Sequence, residues 1–285
     1  MSVNRFEVKF GPETGIEVDR LTIKSKPHSE ERDLFSESYD IMNPLSGGQV
    51  FQRDGIKFGF VRRATSGDLE KKTSDAYDEI LGNLGGNHLY RCWNFVPQIN
   101  LETDGTENYR LFNAGRKRVF DRYYGEDSTK RMSAATCVDT HSNDLVILFI
   151  AGSEEPIHLR NPEQVSAFNY PKIYGRLPPS FARATRIADR YFISGTASIK
   201  GHETVYVADI QKQTETMIEN IEIMLSRFSG EYNQTGVVYV RRAEDISLVR
   251  GVVQKKFPDY SPVYLEANIC RGDLLVEMEM TCLRL

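Results

Sequence analysis

Residues 191–228, YFISGTASIKGHETVYVADIQKQTETMIENIEIMLSRF, limit the folds open to this chain more than any other stretch. Tyr191, Phe192 and Ile193 read as the end of a buried strand. Ser194, Gly195, Thr196, Ala197 and Ser198 follow as a turn of small residues, the kind that lets a ligand approach backbone N–H groups. A polar linker through Gly201, His202 and Glu203 leads to Asp209, a residue suited to cap a long helix. Ile210, Met217, Ile221, Met224, Leu225 and Phe228 fall near one face of that helix. A strand feeding an amphipathic helix calls for a mixed sheet with helices packed on one face. The turn between them could seat a small anion, or be a plain strand-to-helix connection.

The rest of the chain repeats this program. Phe6, Val8 and Phe10, then Ile16, Val18, Leu21 and Ile23, alternate with polar residues and predict one or two strands with a turn at Gly11-Pro12. Residues 24–46, charged and rich in Ser and Pro, read as a surface loop with a short structured piece. A hairpin is expected over 49–62 around Asp54-Gly55. A helix is expected over 66–84, with Leu69, Tyr77, Ile80, Leu81 and Leu84 as its buried stripe and Gly85-Gly86 closing it. A strand over 89–100, a helix over 106–124 and strands over 132–138 and 145–150 complete the first half. The second half predicts strands near 164–170 and 186–199, a helix over 209–228, a strand over 236–241, a helix over 243–256 and strands over 262–268 and 274–282. The two halves thus carry one helix–strand–helix–strand order, about 130 residues apart.

Charge and cysteine usage exclude several classes of function. Lys and Arg total 36 against 40 Asp and Glu, a net charge of -4 that provides no bulk attraction to nucleic acid or anionic membrane. Cys92, Cys137, Cys270 and Cys282 stand far apart with no CxxC, and the five histidines form no HxH or HxxxH pair. Free thiols in a reducing cytoplasm are expected, with no metal site. No apolar run approaches the roughly 20 residues needed to cross a bilayer. The opening MSVNRFEVKF lacks the basic-then-apolar layout of a signal peptide.

Six blocks carry a resemblance: RCWNFVPQIN, FNAGRKRVFDRYY, YPKIYGRLPPSFARA, FISGTASIKGHET, QTETMIENI and CRGDLLVEME. Together they are similar to the chorismatases, enzymes that cleave the enolpyruvyl side chain of chorismate. The later blocks, with VVYVRR and YLEANICRGDLLVEMEM, also resemble the C-terminal half of the reactive-imine deaminase (Rid) superfamily. The resemblance implies an α+β fold of two Rid-like units, related also to the chorismate mutase barrel, with mixed sheets each covered by helices on one face. The units would span 1–155 and 156–285, the second carrying most of the active site. It implies chorismate as substrate, pyruvate as one product and no cofactor. A monomer is expected, since two fused units supply interfaces that single-unit relatives obtain by trimerising. One departure separates the two families. The simple deaminases carry an arginine fifteen positions before the glutamate matched to Glu277, and here that position is Pro262.

The chemistry needs an acid that keeps its proton near neutral pH, to protonate the methylene carbon of the enol ether. Glu277 in LLVEMEM is the candidate, with Glu279 of the same strand parity left open beside it. Two substrate carboxylates call for planar guanidinium groups, for which Arg183 and Arg241 are the leading pair. Tyr170, Lys172 and Tyr174 could add hydroxyl and ammonium contacts, while Gly195, Thr196 and Ala197 would let the ring approach. The resemblance implies that Cys270 helps direct the ring product, its thiol favouring aromatisation to a hydroxybenzoate, whereas Ala197 favours hydrolysis to a dihydroxycyclohexadiene carboxylate. Trp93 and Asn94 read as core and strand-end residues. A non-catalytic Rid-like binder of small carboxylates is the competing reading, and imine deamination is disfavoured by Pro262.

Overall fold

The computed structural model describes residues 4–17, 20–28, 33–65 and 67–285. Its architecture is the expected α+β arrangement of two units with one shared topology. In the first, a six-stranded sheet runs in spatial order Ala134–Thr140, His88–Pro97, Asp144–Gly152, Ile56–Ala64, Gly48–Arg53, Ile41–Leu45. The first pair is parallel and the others antiparallel. Helices α1 (Leu69–Gly82) and α2 (Asn108–Tyr124) cover one face, and α2 is the crossover that a parallel pair requires.

The second sheet repeats that order: Val263–Glu266, Val237–Val240, Val276–Arg284, Arg190–Ala197, Ala184–Arg186, Ile157–Leu159. Again the first two strands are parallel, here bridged by α4 (Ile246–Lys256), with α3 (Ile210–Leu225) beside it. Lys26–Pro27 extends this sheet by pairing with the Val263–Glu266 strand, so the N-terminal chain reaches across to the second unit. Tyr232–Thr235 lies along the outer end of Val276–Arg284.

The two sheets turn their uncovered faces towards each other. A central core joins Phe58, Phe60, Trp93, Val146 and Leu148 of the first sheet to Phe192, Val237, Tyr239 and Val263 of the second. A four-stranded sheet (Gly15–Ile16, Arg20–Lys24, Asn4–Gly11, Asp33–Tyr39) adds Phe6, Val8, Phe10, Leu21 and Ile23 to the same core. The helices lie outside, packing through Tyr77, Ile80, Phe112 and Phe120 on one sheet and Met217, Ile221, Val249 and Val253 on the other. Asp68 and Asp209 cap α1 and α3, each accepting from a backbone N–H three residues on at 3.0 Å.

Three expectations need correction. Residues 164–170 form no strand. They run as an irregular segment with a short turn at Ala167–Asn169, and Pro171 provides no N–H for a ladder. The stretch 24–46 holds three strands, Lys26–Pro27, Asp33–Tyr39 and Ile41–Leu45, the second paired with Asn4–Gly11; residues 29–32 within it, like Val18 and Ser66, lie outside the described residues. The small residues 194–197 are not a turn after the strand but a bulge within it. Ile193 pairs with Met280 and Thr196 with Met278, so the Arg190–Ala197 strand spends one extra residue at Ser194-Gly195. Among the described residues no helix is long and apolar enough to cross a membrane.

Candidate active site

A cavity of about 320 Å³ opens where the units meet, a volume within the range of small-molecule sites. The first unit contributes Glu107, Tyr109 and Arg110 from the start of α2. The second contributes Tyr170, Tyr174, Arg183, the bulged strand at Gly195 and Ala197, and the loop before Glu277.

Alternation along Val276–Arg284 sets the floor. Val276, Met278 and Met280 pack beneath α3 and α4, which turns Glu277 and Glu279 to the opposite face. Both are buried, at 4% and 2% exposure, but their partners differ. Glu279 accepts from Arg91 Nη2 at 2.5 Å, from Trp93 Nε1 at 2.8 Å and from the Thr136 hydroxyl. The Glu277 carboxyl has no hydrogen-bond partner among the described residues and lines the cavity. It rests against the bulge: a Cβ at Gly195 would lie 2.1 Å from Glu277 Oε1 and 2.8 Å from its Cδ, so a side chain there would take the carboxyl's place. Burial, reinforced by the neighbouring Glu279, pushes Glu277 up to about 8, with Arg91 and Arg183 pulling back. At neutral pH it holds a proton.

Three arginines line the cavity, Arg110, Arg183 and Arg271, and the last two carry buried donors without acceptors. Arg183 donates from Nη2 to the Tyr170 hydroxyl at 2.7 Å and to the Val165 carbonyl at 3.3 Å, and stacks on Phe181. Its Nε is buried without an acceptor. Arg271 sits 4.0 Å over the Tyr174 ring and 5.1 Å over Tyr170, and its Nη1 donates to the His202 carbonyl at 2.8 Å. Its Nη2 is likewise buried without an acceptor. Buried donors left unmatched are costly, and the two guanidinium groups set fixed positive charge beside the cavity. Tyr170 and Tyr174 are thus held in place by the arginines beside them, and Tyr174 also meets His202 Nδ1 at 3.3 Å.

Arg241 is placed elsewhere. Its guanidinium donates to the carbonyls of Leu274, Ile269 and Arg271 and to the side-chain oxygens of Asn100 and Asn268, at 2.7–3.3 Å. It staples the loop that carries Cys270 and Arg271, and does not line the cavity. Lys172 lines a separate surface pocket with Arg110 and Arg176. Thr196 turns away, donating its hydroxyl to the Ser194 carbonyl at 2.7 Å. Cys270 does line the cavity, and burial together with Glu277 pushes its thiol up to about 12, so it is an uncharged S–H. Ala197 lies directly across from Glu277 in the strand register.

Sequence reasoning passed over Arg271, although it stands next to Cys270 and before Gly272 on the loop entering the Glu277 strand. Tyr109, inside the helix expected over 106–124, was likewise not singled out for the site. Among the described residues, no group of three or more His, Cys, Asp or Glu side chains is arranged to hold a metal.

Known proteins match this chain over most of its length. A family model described as chorismatase FkbO/Hyg5-like, N-terminal, matches residues 40–151. A 3-hydroxybenzoate synthase of Streptomyces hygroscopicus is 36% identical over 258 residues, covering 81% of this chain and 75% of that protein. A chorismatase of Streptomyces rapamycinicus is 32% identical, covering 93% of this chain and 88% of its own. The crystal structure of a chorismatase matches with a TM-score of 0.86 at 29% identity, over 98% of this chain and 93% of that one. Identity at this level across most of both sequences, with one fold throughout, means that this protein belongs to the chorismatase family.

Proposed function

We propose that this protein cleaves chorismate with release of pyruvate, and that Glu277 is the proton donor. The observation that carries the reading is a buried carboxyl without a hydrogen-bond partner, protonated at neutral pH, on the floor of a cavity whose walls hold two arginines with unspent donors. Chorismate is a dianion with an enol ether. Arg183 and Arg271 supply fixed positive charge for its two carboxylates, and Tyr170 and Tyr174 keep those guanidinium groups in place. Glu277 transfers its proton to the terminal methylene carbon of the side chain, making a methyl group and an oxocarbenium centre next to the ether oxygen. Trapping that centre and breaking the ether link releases pyruvate. Glu277 recovers a proton from the attacking oxygen.

Atom balance separates two outcomes. Uptake of one water gives a dihydroxycyclohexadiene carboxylate; loss of water from that ring, the C4 hydroxyl leaving with the C3 hydrogen, brings the net uptake to zero and gives 3-hydroxybenzoate. We assign the second, with 3-hydroxybenzoate as product. The neutral Cys270 thiol in the cavity and the name of the relative at 36% identity support it.

The test is incubation of the purified protein with chorismate, following pyruvate through NADH oxidation by lactate dehydrogenase and separating the ring product by chromatography. Pyruvate in equal amount with 3-hydroxybenzoate is the expected result. A non-aromatic diol acid would overturn the product assignment alone. Saturable binding of chorismate with no pyruvate above the spontaneous rate would make the protein a carboxylate binder.

A further inference from the structure

Glu277 and Glu279 share one face of one strand, yet their surroundings make them different chemical species. Arg91 explains why. Its guanidinium is 1% exposed, its Nε and Nη1 have no acceptor, and among the described residues its ion pair is with Glu279. Were Glu279 protonated, Arg91 would be a lone cation in the core, a strongly unfavourable state. With Glu279 ionised and Glu277 neutral, the charges of the three groups sum to zero. Ionising both carboxyls would set two like charges side by side on one buried strand face, with Arg183, whose Nη2 is engaged by Tyr170 and Val165, as the further cation facing Glu277. Burial raises Glu279 above its ordinary value as it does Glu277, and the donors on Glu279 decide where the single proton resides: a guanidinium, a hydroxyl and an indole N–H all pull it back towards the ionised form, and Glu277 has no comparable partner.

A second link is mechanical. The Thr136 hydroxyl donates to Glu279 and accepts from Arg91 Nη2 at 2.5 Å and from the Gly195 N–H at 3.1 Å. That N–H belongs to the bulge against which the Glu277 carboxyl rests. An ionised Glu279 therefore orients the hydroxyl that holds the backbone beneath the acid.

We propose that Glu279 is a positioning residue, the fixed counter-anion of Arg91, which confines the shared proton to Glu277 and anchors the Gly195 bulge through Thr136. This rests on Glu277 being the proton donor. The groups facing Glu277 are consistent with it. Arg91 comes from the first sheet and Arg183 from the segment entering Ala184–Arg186. Tyr239, across the ladder, and the thiols of Cys137 and Cys270 are pushed up by burial and carry no charge near neutrality. Glu279 is then the acidic group that sets the charge beside the acid.

Two measurements test this. In Glu279→Gln, Arg91 loses its counter-ion and takes Glu277 as a substitute, so the alkaline limb of kcat against pH should move down by about one unit or more with KM little changed. Glu279→Asp, which keeps the charge, should keep the limb near its wild-type place. A merely structural role would lower kcat equally at every pH, and a limb that stays put in Glu279→Gln overturns the proposal while leaving Glu277 as the acid. If Glu279→Gln is inactive at all pH and Glu277→Gln is active, Glu279 is itself the acid, and the assignment of Glu277 falls first.

The second measurement needs no change at Glu279. Trp93 is the only tryptophan of the chain, so ¹⁵N-tryptophan labelling yields one indole N–H resonance, from the group that donates to Glu279. In Glu277→Gln protein that resonance should stay constant from pH 6 to 9. A titration within that range would show Glu279 taking up the proton, and would overturn the proposal even if Glu279→Gln fails to fold.

Discussion

The return strands of the two units occupy the same place in the same topology and differ in what they bury. Asp144–Gly152, DLVILFIAG, is apolar on both faces: Leu145, Ile147, Phe149 and Ala151 meet α1 and α2, while Val146, Leu148 and Ile150 fill the central core. Val276–Arg284, VEMEMTCLR, keeps the helix-facing half of that pattern in Val276, Met278, Met280 and Cys282. Its other face carries Glu277, Glu279 and Thr281. A strand buried on both faces ordinarily reads as a continuous apolar run, as the first one does. Two carboxyls in the equivalent setting carry a desolvation cost that the first unit avoids. In the proposed reaction the second unit supplies the proton donor, and the first adds cavity wall from the start of α2.

The sharpest way to break this contrast is Glu277→Gln. Pyruvate release should fall by about 10²–10⁴-fold, the range for loss of a general acid, in a protein that remains folded by circular dichroism. In the wild type, kcat/KM should decline as pH rises through about 8, where Glu277 loses its proton. The same group makes the fold sensitive to pH. Its folded pKa is raised, so the unfolded chain releases the proton first, near 4.5, and stability is lost between there and about 8. Glu277→Gln should remove that loss and raise stability at pH 7 by up to about 3 kcal/mol in urea titrations. No change in stability between pH 5 and 8 in the wild type would contradict the raised value.

Leu148→Ala tests the apolar strand of the first unit. It should cost about 2–5 kcal/mol by denaturant unfolding, with kcat per folded molecule unchanged. A matching loss of kcat would mean that this strand does more than support. Gly195→Ala comes next, with an expected kcat loss on the order of a hundredfold and little loss of stability, since its Cβ displaces the carboxyl rather than the backbone. The smallest effect is expected of Arg271→Lys, which keeps the charge and loses the fork. KM for chorismate should rise about tenfold with kcat nearly intact, and an unchanged KM would remove Arg271 from the substrate's carboxylates.

Much of the architecture was readable in the chain because its causes are local. The helical stripes, the Asp209 cap, the duplicated element order and the parity that sends Glu277 and Glu279 to one face all follow from spacing within a few residues. The six family blocks were readable for the same reason, as contiguous residues. Residues 164–170 misled because branched and aromatic residues suggest a strand even where no neighbouring strand is available to pair with them.

The site was decided at longer range. Which of two carboxyls keeps a proton depends on Arg91, Trp93 and Thr136, which lie far from Glu279 in sequence and touch it only once the sheets face each other. Arg241 and Arg271 look equally available in sequence. The fold of the 268–274 loop spends the first on carbonyl oxygens and sets the second over Tyr174. Gly195 reads as part of a turn until the register across Val276–Arg284 makes it a bulge. By itself the sequence determined the elements, their order and the family. The tertiary structure decided which buried charges are balanced and which are left for a ligand, because desolvation and ion pairing depend on distances that local periodicity does not encode.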